Sequence, residues 1–179
     1  MRNDISLELA SRLTEQVKTA FENGSLLDAV TPVTQDLLKF WFMGPYTEER
    51  SKNFHEGQKQ SILNIIYLHE VLQVTTVEEI YRQVAPDLLA ECNLSDLAKE
   101  KYRIPKYAVK MATGTGKTWV MHALLLWQLL NGRHEEQEER SGRYTQNFLI
   151  VAPGLIVYDR LKDAYCGRLK EHGKRSFHE

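Results

Sequence analysis

Residues Met111 to Thr118 read M-A-T-G-T-G-K-T, with two glycines, a lysine and three hydroxyl side chains close together. That grouping suits phosphate chemistry. A phosphate chain packs several negative charges into a small volume and needs many donors aimed at one place. Glycines let the backbone curl tightly and turn successive N–H groups inward. A helix leaving the loop adds its positive N-terminal end. Thr113, Gly114, Thr115, Gly116, Lys117 and Thr118 are therefore expected to wrap a triphosphate. Lys117 would set its ammonium against the β- and γ-phosphates, and Thr118 would offer its hydroxyl to Mg²⁺. Hydrogen bonds to charged groups contribute about 1.5–3 kcal/mol each, so loss of Lys117 predicts binding weaker by about tenfold or more. The strict pattern G-x-x-x-x-G-K-[ST] would have glycine at Met111. A dinucleotide fingerprint would need glycine where Trp119 stands, which disfavours that reading.

The loop must be carried by neighbouring elements. Tyr107-Ala108-Val109 is a short apolar run that reads as a buried strand before it. Trp119 to Leu130 reads as an apolar helix after it, closed by Asn131-Gly132. Arg133 to Gln146 is polar and reads as a solvated loop. Phe148-Leu149-Ile150-Val151 reads as a second buried strand, and Pro153-Gly154 turns the chain into a helix bearing Leu155, Ile156, Tyr158 and Leu161. Strand, loop, helix, strand, helix is the order of a parallel α/β sheet. The first half is helical instead. Ile5, Leu9, Leu13, Val17 and Phe21 recur at helical spacing, with Gly24 where a C-cap belongs. Thr31-Pro32 supplies an N-cap and a first-turn proline, and Gly44-Pro45 breaks the helix that follows. A third helix spans about His55 to Leu72. Thr76 with Glu79 matches a capping box, Ser95 is a further N-cap, and Pro86 interrupts the short helices of 76–102. The division expected is a helical region over 1–104 and the start of an α/β nucleotide-binding domain over 105–179.

Composition narrows the class. The 179 residues are 42% hydrophobic and 26% charged, with a net charge of −1. This excludes collagen-like, disordered and disulfide-framework chains, and a globally basic nucleic-acid binder. The first residues carry acids and no apolar signal core, and no stretch is long enough to span a bilayer. Cys92 and Cys166 fit a reducing cytoplasm, the expected location. No membrane partner is expected.

The segment A-T-G-T-G-K-T resembles motif I of superfamily 2 helicases and translocases. With methionine in front it is most similar to the type III restriction enzymes, in their Res subunit. F-H-E-G-Q-K-Q-S-I, from Phe54 to Ile62, resembles the family's glutamine motif, which makes Gln58 the candidate reader of adenine; an amide can pair with both a donor and an acceptor on that edge. V-A-P-G-L-I-V-Y-D-R-L, from Val151 to Leu161, resembles motif Ia, and so implies nucleic-acid contact through Pro153 and Gly154. The resemblance implies an α/β, RecA-like P-loop NTPase fold with a partial parallel sheet behind a helical N-terminal region. It implies ATP and Mg²⁺ as cofactors, duplex DNA as partner, and the modification or specificity subunit of a restriction system as a further partner. The stretch from Gln58 to Lys117 is longer than usual in the superfamily, so residues 66–104 read as an insertion. No D-E-x-H or D-E-x-D follows the loop. The chain is thus expected to be the N-terminal portion of a DNA-dependent ATPase, binding nucleotide but hydrolysing it poorly by itself.

Other features of the chain fit less specific readings. Lysines and arginines gather over 99–117 and 160–175, and either stripe fits DNA phosphates or a solvated face. His134 beside Glu135 fits a surface loop better than a metal site. Phe54 fits a staple at a helix start, and Trp41 and Phe42 fit a core. Two alternatives remain at this point: another P-loop phosphotransferase, and a non-catalytic interaction module stabilised by nucleotide. No N-K-x-D tetrad favours guanine.

Overall fold

The computed structural model describes residues 5–90, 100, 106–138, 142–152, 154–170 and 173–177. Two compact units divide the chain, Met1–Gln146 and Asn147–Glu179.

The first unit is helical. Helix α1 (Ile5–Glu22) buries Leu9, Leu13, Val17 and Ala20, the stripe that its three- and four-residue spacing requires. After Gly24 comes the short α2 (Ser25–Ala29). Helix α3 (Pro32–Phe42) begins as expected: the Thr31 side chain accepts from the Thr34 amide at 3.2 Å, and Pro32 occupies the first turn. Helix α4 (Tyr46–Glu49) follows the Gly44-Pro45 break. Helix α5 (Glu56–Ile66) continues as a π-helical segment over Tyr67–Val71, where the Leu72 amide donates to the Tyr67 carbonyl at 2.9 Å. Helix α6 (Val77–Val84) has the reciprocal Thr76 and Glu79 cap, and α7 (Pro86–Leu89) restarts at the proline. The Ser95 cap lies outside the described residues. Helix α8 (Lys117–Gln137) completes the unit.

Helices α3 and α5 both pack on α8, and α1 packs on α5. Their shared core holds Val17, Leu38, Trp41, Ile62, Leu63, Ile66, Val120, Ala123 and Trp127. Trp41 is therefore core, as its spacing implied. A satellite cluster of Leu9, Tyr81, Ala85 and Leu88 joins α1 to α6 and α7. Arg12 bridges the same elements, donating to Asp87 at 2.6 Å and Glu8 at 2.8 Å.

The core around α8 also contains a carboxylate. Glu70, in the π-helical segment, is only 4% exposed. It accepts from the Thr31 amide at 2.8 Å, from the Thr34 hydroxyl, and from the Trp127 indole at 2.6 Å. Asn131 donates to the Thr34 hydroxyl and to the Trp127 carbonyl, both at 2.9 Å. A buried charge is tolerated when its lone pairs are occupied in this way. Burial, helped by the Glu70 carboxylate, pushes the Tyr144 hydroxyl to a higher pKa. His69 packs edge-on against Trp127 at 5.1 Å, and burial lowers its pKa.

Three expectations need correction. Helix α8 does not close at Asn131-Gly132 but runs on to Gln137, so part of the polar stretch after Gly132 is helical. The reason is tertiary: Asn131 is bonded within the core, and Gly132 lets residues 145 and 146 cross closely, with the Gln146 Cγ 3.0 Å from where a Cβ would stand. Tyr107-Ala108-Val109 and Phe148-Leu149-Ile150-Val151 carry no strand pairing. Leu149 and Val151 are 89% and 81% exposed. An apolar run becomes a strand only when a neighbouring strand takes its N–H and C=O groups. The sole sheet among the described residues is a two-stranded antiparallel ribbon, so the parallel sheet is not seen.

That ribbon belongs to the second unit. Helix α9 (Leu155–Cys166) precedes β1 (Arg168–Leu169) and β2 (Arg175–Ser176), which pair Arg168 with Ser176 and Leu169 with Arg175. Arg175 closes the unit by donating to the Gly167 carbonyl at 2.6 Å and Asp163 at 3.2 Å. One member of the second basic stripe is thereby tied up internally. No helix among the described residues is long and apolar enough to cross a membrane.

Candidate phosphate-binding site

Gly114 and Gly116 have φ of 84° and 73°, in the left-handed region where a side chain is strained. Between them the chain makes a tight turn. The Thr115 amide and hydroxyl both donate to the Ala112 carbonyl, at 3.4 and 2.7 Å. Gly116 is the N-cap residue of α8, and Lys117 is the first helical residue. Lys117 is exposed, and its Nζ donates to the Ala112 carbonyl at 2.8 Å. Thr118 is exposed on the first turn. The amides of Gly116, Lys117 and Thr118 have no hydrogen-bond acceptor among the described residues, as the opening turn of a helix requires. Six expected residues, Thr113 to Thr118, thus form one turn at one helix end.

Helix α5 holds this turn from the side. Gln58 is 6% exposed, not solvent-facing. Its Nε2 donates to the Thr115 carbonyl at 3.1 Å and the Gly116 carbonyl at 3.2 Å. Its Oε1 accepts from the His55 amide at 3.0 Å, completing a capping box at the start of α5. A Cβ on Gly116 would lie 2.4 Å from the Gln58 Nε2, so only glycine lets the amide approach. His55 contributes a second bond: its Nε2 lies 2.9 Å from the same Thr115 carbonyl.

A cleft of about 430 Å³ opens beside the turn, lined by Ser51, Lys52, Asn53, His55, Gln58, Gly114, Thr115, Gly116 and Trp119. Lys52 is cationic, and no carboxylate side chain is in that lining, which favours an anion. Trp119 is 55% exposed at the rim, and its ring meets Phe54 edge-on at 5.9 Å. Phe54 in turn packs on Trp41 and Phe42, so it fastens α5 to α3 rather than facing the cleft as a free ring.

Among the expected site residues, Gln58 and 113–118 come together. Gly154 belongs to the second unit, where its carbonyl accepts from the Tyr158 amide at 2.9 Å. Pro153 lies outside the described residues. His134 pairs with Glu138 at 3.7 Å on the end of α8, and the described residues hold no cluster of metal-ligating side chains. Sequence reading passed over His55, Lys52 and Trp119. The three-residue spacing of His55 to Gln58 was the available signal, since it is capping-box spacing with an unusual cap.

A left-handed glycine turn that opens a helix at a lysine is the local geometry of a phosphate loop. The family described as type III restriction enzyme, res subunit, matches residues 51–178. That is well over half of the chain, and the protein belongs to this family. The family is one of P-loop NTPases, and the matched region is its ATP-binding, helicase-type domain. No curated protein and no solved structure matches the chain.

Proposed function

We propose that the turn of residues 113–118 binds the triphosphate of ATP with Mg²⁺. The observation that carries this reading is the left-handed pair Gly114 and Gly116 ending at Lys117 on the first turn of α8. The free amides of Gly116, Lys117 and Thr118 and the helix dipole would take the phosphate oxygens. Lys117 would exchange the Ala112 carbonyl for the β- and γ-phosphates, and the Thr118 hydroxyl is open to a Mg²⁺ ion. Gln58 would read the adenine edge. Both of its amide protons are committed to the loop, so reading the base requires releasing at least one carbonyl.

In the wider reading the region drives a DNA-dependent ATPase of a restriction system. Duplex DNA is held partly through Pro153 and Gly154, and a modification subunit is the companion. Titration of a fluorescent ATP analogue with Mg²⁺ tests the core of the proposal. Lys117→Ala should bind about tenfold more weakly, the loss of one charged hydrogen bond or more. Equal affinity of the two proteins would overturn it.

A further inference from the structure

His55 is engaged through both ring nitrogens. Its Nδ1 accepts from the Gln58 amide at 3.4 Å, as the cap of α5. A nitrogen that accepts carries no proton, so the proton resides on Nε2. The Nε2–H therefore donates to the Thr115 carbonyl at 2.9 Å. That carbonyl has two lone pairs and receives two donors, His55 and Gln58. The two differ in what else they must do. Gln58 divides its amide protons between Thr115 and Gly116, and in the reading above it must also serve the base. His55 has no second acceptor for its single N–H.

We infer that His55 is a positioning residue of the phosphate loop, keeping the Thr115 carbonyl fixed when Gln58 turns toward a base. This rests on the reading of the loop as a triphosphate site and adds to it a division of labour. Gln58 makes affinity depend on the base, whereas His55 acts through the loop and is indifferent to the base. With the Thr115 carbonyl pinned, the amides on the far side of the turn stay aimed outward. Without it, the two left-handed glycines leave the turn free to rearrange.

His55→Asn separates this role from helix capping. Asparagine is among the best N-cap residues, so the Gln58 amide keeps its acceptor and α5 keeps its start. Its side chain is too short to reach the Thr115 carbonyl as well. Two measurements on the whole chain are compared with wild type. In the ligand-free protein, exchange of the Thr115 and Trp119 amides, the bonded ones of the turn, should quicken about fivefold while α5 and the thermal midpoint stay unchanged, the loss expected for one hydrogen bond. Affinities for Mg²⁺-ATP and for bare Mg²⁺-tripolyphosphate should fall by the same factor, about fivefold. Unchanged loop exchange overturns the inference, as does a loss confined to ATP. Wild-type protein that binds neither polyphosphate overturns the triphosphate reading on which it rests, and the exchange arm still reports whether His55 restrains the loop.

Discussion

The start and the middle of helix α8 stand in opposite conditions. At its start, Lys117 and Thr118 are exposed and three amides lack acceptors among the described residues. Three to four turns later, Trp127 and Asn131 are each 2% exposed and bonded into the Glu70 network. The start offers unfilled donors in a turn set by glycines; the middle has a filled acceptor set by a carboxylate. A rigid helix lets the finished middle hold the unfinished start still, which is what a preorganised binding loop needs. The contrast predicts that substitutions at the buried middle read out as stability and those at the exposed start as affinity.

Glu70→Ala should break the buried middle. The Thr31 amide and the Thr34 hydroxyl would lose their carboxylate acceptor in the core, the Trp127 indole would keep only the Thr34 hydroxyl, and unmet buried donors cost about 1–3 kcal/mol each. A loss of about 3–5 kcal/mol in urea unfolding is expected; a loss below about 1 kcal/mol would mean the network contributes little. Lys117→Ala is the mirror case. It should weaken Mg²⁺-ATP by about tenfold, about 1.4 kcal/mol, and leave the urea midpoint in place. A shift in midpoint would undo the contrast. Gly116→Ala falls between them, since it forces a left-handed residue and displaces the Gln58 amide. It should cost about 1–2 kcal/mol in stability and reduce ATP affinity as well. Calorimetry with and without nucleotide separates the two effects.

The smallest effect concerns pH. His69 has a buried Nε2 with no hydrogen-bond partner among the described residues, and burial together with nearby Arg143 lowers its pKa. Its unfolded form takes up a proton at higher pH than its folded form. Its contribution is therefore fully present above its ordinary value of 6.5 and is lost as pH falls below it. His69→Phe should flatten the fall in thermal midpoint between pH 6.5 and 5 while keeping the packing on Trp127. An unchanged slope would assign that fall to other groups, such as His122, whose pKa burial also lowers.

Much of this contrast was legible before the fold was seen, but unevenly. Thr31-Pro32 and Thr76 with Glu79 marked helix starts because capping is local chemistry. The glycine loop was legible for the same reason. The continuation of α8 past Gly132 was not, because it depends on a crossing segment near residue 146 and on bonds from Asn131 to Thr34. Nor was the burial of Glu70, whose partners come from α3 and α8. The strand-like runs near 108 and 150 mark the reverse limit. A continuous apolar run records a preference for pairing, while the ladder depends on another segment. Gln58 stood out in the sequence, but its bonds to the Thr115 and Gly116 carbonyls needed the structure, since a loop and a helix far apart in the chain meet there.

The bond from Lys117 to the Ala112 carbonyl changes how binding strength at the loop should be reckoned. An arriving anion does not meet a bare, waiting cation. It competes with a neutral oxygen that already occupies the ammonium, so the net gain is a difference between two partners. Because that competitor is backbone, no side-chain replacement at Ala112 can remove it. Selection for tighter or looser grip must work instead on the shape of the turn.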